Sequence, residues 1–119
     1  MLPPERRLTD GPSFQQTVRA GRRAGSRTVV VHLADGVDAS VGVPGPRIGF
    51  VVSKAVGNAV VRNRVKRRLR HLAREHVSSL PGSAALVVRA LPASATASYA
   101  ELSTDLARCL ARVRSEVTA

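Results

Sequence analysis

The chain contains no tryptophan, one tyrosine, two phenylalanines and one cysteine among 119 residues. Phe14, Phe50 and Tyr99 are the whole aromatic set, so stacking a long single strand on ring after ring is out of reach. Cys109 has no partner for an intramolecular disulfide and cannot by itself build the usual structural zinc site. No apolar run reaches the roughly 18 residues of a spanning helix. No charged stretch leading into an apolar core follows Met1, so there is no signal-peptide pattern. These gaps exclude a membrane-spanning role and make the cytoplasm the expected compartment. Acid is scarce as well. The eight Asp and Glu residues are scattered, and no pair clusters as a protein-held two-metal nuclease site requires. His32, His71 and His76 have no partner at fixed spacing and read as polar surface or cleft residues. Gly57 is not part of a G-x-x-x-x-G-K loop, so nothing calls for a nucleotide or other small-molecule substrate.

Cationic charge is abundant. Nineteen Lys and Arg against eight Asp and Glu give a net charge of +11, more than solubility asks of a chain this size and a sign of a polyanionic partner. All but Lys54 and Lys66 are arginine, whose planar fork suits phosphate and base edges. Nucleic acid is favoured over lipid, with backbone phosphates as the main contacts.

The size fits one domain over residues 1–119, with residues 1–10 read as a solvated basic tail. Ser13 and Gln16 have the capping-box form, Phe14 and Val18 share a face, and Gly21 stops a short helix over Ser13–Ala20. Thr28–Leu33 and Arg47–Val52 read as strands, with a further short strand possible at Ser40–Val43 inside a Gly- and Pro-rich connection. Ala59 to about Glu75 is the longest helix, free of Gly and Pro. Ala84–Ala90 is a strand and Pro92–Thr96 a loop. Ser98 and Glu101 repeat the capping box ahead of a last helix, with Leu102, Leu106, Cys109, Leu110, Val113 and Val117 in one stripe. The order α-β-β-(β)-α-β-α implies an α+β, or α/β sandwich, fold: a small mixed sheet packed against three helices.

Arg47 to Arg74 holds nine basic residues and no acidic one. At about 100° per residue, Val61, Val65, Leu69, Leu72 and Ala73 gather on a core arc of the long helix. Lys66, Arg67, Arg70, His71 and Arg74 lie opposite, with Asn63 among them and Arg62, Arg64 and Arg68 toward the margins. Like charges at i, i+4 cost an isolated helix about 0.2–0.5 kcal/mol per pair, so an uncompensated strip points to an anionic partner.

The segment from Lys54 to Arg70, with Gly57-Asn58-Ala59-Val60, then Arg62-Asn63-Arg64, then Lys66-Arg67 and Arg70, resembles the signature of the bacterial ribonuclease P protein family. The likeness runs from about Arg7 to Ala111 and includes Ser13-Phe14-Gln15, Gly49 to Ser53 and Ala84 to Pro92. It implies a left-handed β-α-β crossover, against the usual hand. It implies that the chain binds a catalytic RNA through Lys54, Asn58, Arg62, Asn63, Arg64, Lys66, Arg67, Arg68 and Arg70. The substrate would be precursor tRNA, losing its 5′ leader in an endonucleolytic cut made by the RNA subunit, with magnesium ions held mainly by that RNA and none by the protein alone. The leader would lie in a cleft lined by Phe14, Val18, His32, Lys54 and Arg89. Val18 stands where a second aromatic is usual, His32 where Tyr is frequent, and Arg89 one residue early. On residues alone, a lone Phe on a short amphipathic helix reads as core, and only the resemblance moves Phe14 to the cleft. Another RNA-binding protein, such as a ribosomal protein or an assembly factor, is the alternative; a protein-only nuclease lacks the carboxylates.

Overall fold

The computed structural model describes residues 22–34, 47–76 and 85–118. The strands are β1 (Arg22–Gly25), β2 (Val29–Ala34), β3 (Arg47–Val51) and β4 (Ala85–Ala90), and the helices are α1 (Ala59–Arg74) and α2 (Tyr99–Thr118). One sheet runs in the order β1-β2-β4-β3. β1 pairs with β2, and β2 with β4, antiparallel; β3 and β4 are parallel. Adjacent parallel strands need a crossover, and α1 supplies it.

β2 and β4 are central because their sequences, VVVHLA and ALVVRA, can be buried on both sides, as every residue of β2 is. Ala24, Val29, Val31, Leu33, Ile48, Leu86, Val88 and Ala90 form one layer of the core, completed by Val65, Leu69, Leu72 and Ala73 of α1 and Leu102, Leu106, Cys109, Leu110 and Val113 of α2. Both helices therefore cover the same sheet face. β3 and β4 run parallel, so their C-terminal ends lie at the same end of the sheet, which brings the start of α1 beside the chain leaving β4.

The helix starts are built by side chains. Asn58 Oδ1 accepts from the Val61 amide at 3.0 Å, capping α1. At α2 the Glu101 amide donates to Ser98 Oγ and the Ser98 amide donates to Glu101 Oε1, each at 3.1 Å, which is the capping box expected there. Arg27 pairs with Glu101, and Thr28 Oγ1 donates to Asp105 Oδ2 at 2.6 Å, fixing α2 to the β1–β2 turn.

Three details differ from the sequence expectation. β1 is a strand where none is called, and Pro92–Ala95 is a turn of 3-10 helix where a loop is. Strand and helix ends move by about one residue. The expected helix over Ser13–Ala20 and the strand at Ser40–Val43 lie outside the described residues.

Candidate nucleic-acid interface

α1 separates its charge from its apolar stripe. Val65, Leu69, Leu72 and Ala73 are buried, while Asn63, Arg67, His71 and Arg74 are exposed along the outer ridge. No acidic residue stands in its first turn. Asn63, Lys66, Arg67, Arg70 and His71 surround a surface depression of ≈ 380 Å³. A second one, ≈ 240 Å³, lies between Val52 and Ala59, Arg62, Asn63 and Lys66. Asn63 and Lys66 belong to both, so the depressions adjoin across the helix.

The flanks of α1 are half-buried and structurally engaged. On one side Arg62 lines the smaller depression together with Val52, beyond β3. On the other, Arg64 Nη2 donates to the Ala95 carbonyl at 3.2 Å, and Arg68 Nη1 donates to the Ala97 carbonyl at 3.5 Å. The Nε groups of Arg62 and Arg64 are buried without a hydrogen-bond partner. Of the nine residues assigned to RNA binding, Asn58 spends its side-chain oxygen on the cap, and Lys54 is exposed in the turn between β3 and α1. The other seven lie along α1.

The sheet face turned away from the helices carries a second group. Cross-strand pairing puts Arg23 opposite His32, His32 opposite Val87, and Arg89 opposite both Val30 and Val51. Paired residues share a face, so His32 and Arg89 lie on one side of the sheet with Arg23. Arg89 is exposed, while His32 is only 7% exposed and its Nδ1 has no hydrogen-bond partner. Burial first, then the Arg89 and Arg23 cations, hold the His32 imidazole below its ordinary pKa of 6.5. Of the other residues assigned to the leader cleft, Lys54 is in the turn after β3, and Phe14 and Val18 lie outside the described residues.

Two surface residues escaped the sequence reading. Val60 is 74% and Tyr99 40% exposed, the exposed large apolar side chains among the described residues. Val60 had a signal, since the helical wheel puts it on the same arc as Asn63 and Arg67. Tyr99 had none, because its neighbour His71 is remote in sequence; their ring centroids are 6.1 Å apart, tilted by 54°. Among the described residues no three His, Cys, Asp or Glu side chains come together as a metal-holding group, and no helix is long and apolar enough to cross a membrane.

Residues 2–114 match the profile of the family described as Ribonuclease P. The ribonuclease P protein component of a Nocardioides species is 65% identical over 118 residues, covering 99% of each chain. That of Streptomyces griseus is 53% identical over 117 residues, covering 95% of each. Among solved structures, the Staphylococcus aureus RNase P protein superposes with a TM-score of 0.76 at 26% identity, over 91% of this chain and 96% of that one. The Thermotoga maritima RNase P protein shares the fold, with a TM-score of 0.70 at 22% identity over 86% and 92% of the two chains.

Proposed function

The chain belongs to the ribonuclease P protein family, and from that membership we propose that it binds a catalytic RNA through α1 and helps that RNA remove the 5′ leader of precursor tRNA. The observation carrying this reading is the ridge of α1, where Asn63, Lys66, Arg67 and Arg70 converge on one depression with no carboxylate in the helix. Phosphates spaced along an RNA backbone match such a row, and one neutral amide among the cations offers both a donor and an acceptor. The buried Nε group of Arg62 supports the same reading. A donor without a partner costs about 1–3 kcal/mol, and swinging outward onto a phosphate oxygen would relieve that cost.

In this reading magnesium is assigned to the RNA subunit. The chain's own part is then binding and orientation. The sheet face bearing His32 and Arg89, with Lys54 beyond the end of β3 and Phe14 and Val18 from the segment before β1, is assigned to the leader. Arg89 and Lys54 would meet its phosphates. His32, whose Nδ1 has no hydrogen-bond partner, would offer a hydrogen bond.

Arg67 provides the cleaner test, because Arg64 and Arg68 also hold backbone carbonyls. Arg67→Ala should weaken association with in vitro transcribed ribonuclease P RNA and lower the salt slope by about 1. Asn63→Ala should weaken it at an unchanged slope. The RNA-free protein should leave precursor tRNA intact and cleavage should appear on adding the RNA. Wild-type affinity of both variants at two salt concentrations, or cleavage by RNA-free protein, would refute the proposal.

A further inference from the structure

Tyr99 stands at one end of the α1 ridge. It is the single tyrosine of the sequence, and its ring lies beside His71, which lines the same depression as Lys66, Arg67 and Arg70. Its position is built from both helices. Arg64 and Arg68 grip the carbonyls of Ala95 and Ala97, drawing the 3-10 turn onto α1. The Ser98–Glu101 capping box then fixes the start of α2, where Tyr99 is the first residue. In a chain so poor in aromatics, a ring held at a basic helix and left 40% exposed is available for a partner.

We propose that Tyr99, backed by His71, stacks an unpaired base of the RNA whose phosphates run along Lys66, Arg67 and Arg70. This inference rests on the reading of α1 as an RNA surface. The chemistry is that of single-stranded recognition, in which cations take the phosphates while a ring takes the face of a base. A paired base inside a helix offers no free face, so the nucleotide must belong to a loop, a bulge or a strand end. Stacking involves no net charge, so it separates from phosphate binding in its response to salt.

The test uses the full chain with 3-fluorotyrosine, which gives one fluorine resonance because there is one tyrosine. Adding in vitro transcribed ribonuclease P RNA should shift that resonance. Tyr99→Ala should weaken RNA affinity about tenfold, within the range for one stacked base, at an unchanged salt slope. Tyr99→Phe should bind as wild type. Tyr99→Leu keeps apolar bulk without a π face, so it should lose affinity as the alanine variant does. A resonance unmoved by saturating RNA, or Tyr99→Leu binding as wild type, would overturn the stacking role. Loss of affinity in Arg67→Ala alongside that result would leave α1 as the RNA surface. Wild-type binding by Arg67→Ala would remove that reading too.

Discussion

His32 occupies a central strand between two cationic neighbours, and its environment makes protonation costly. An imidazole whose pKa falls on folding binds fewer protons in the native state than in the unfolded chain. Stability therefore rises as pH climbs through the window from the lowered pKa to 6.5, and it is lost on acidification. His76 behaves alike, lowered by burial and Arg114 while Glu75 pulls it partly back. Thermal denaturation should show a melting temperature that falls between pH 7.5 and pH 5. His32→Gln should flatten part of that fall and His76→Gln a further part. A His32→Gln protein with the full wild-type dependence would show that the sheet face does not penalise the imidazolium. The same penalty bears on leader binding, since a phosphate brought close to His32 would favour the proton that burial and the arginines disfavour.

At the scale of one element, α1 shows how two demands on one residue can be separated. Asn58 belongs to the family signature, yet in the structure its side chain caps the helix. Asn58→Ala should cost about 1 kcal/mol in chemical denaturation, and Asn58→Ser, an equally good cap, should restore it. If the serine variant regains stability but not RNA affinity, Asn58 also contacts RNA; if it regains both, the cap is its whole role. The two faces of α1 were legible in the sequence because each follows from spacing along a single helix. The engagement of Arg64 and Arg68 with Ala95 and Ala97 was not, because nothing local signals a contact about thirty residues away. β1 was missed for a similar reason. Of its four residues only Ala24 is buried, and its charges suit an edge strand, so it carries almost no alternation to read. Arg89 could be given a face only once β4 was paired with β2 and β3, since a one-residue slip reverses every side chain.

For the whole molecule, the sheet divides the charge between two surfaces. α1 and its cations lie over one face, while Arg23, His32 and Arg89 belong to the other. If α1 holds the RNA subunit and the far face holds the leader, the two activities should fail independently. Arg67→Gln should weaken assembly with the RNA and leave the preference of the assembled holoenzyme for precursor over mature tRNA unchanged. Arg89→Gln should do the reverse, because only the precursor carries a leader. With the sheet and a helix layer between them and no shared partner, the double variant should show the sum of the two losses to within about 0.5 kcal/mol. The Arg89 contribution should shrink as salt rises, since an exposed cation facing phosphate is screened over about 8–10 Å at physiological ionic strength. Measuring RNA affinity, then precursor and mature tRNA affinity at saturating RNA, at two salt concentrations, checks each part. An Arg89→Gln holoenzyme that keeps full discrimination would detach this face from the leader. Strong non-additivity in the double variant would mean that both faces serve a single RNA surface, with the chain wrapped by its partner instead of standing between two ligands.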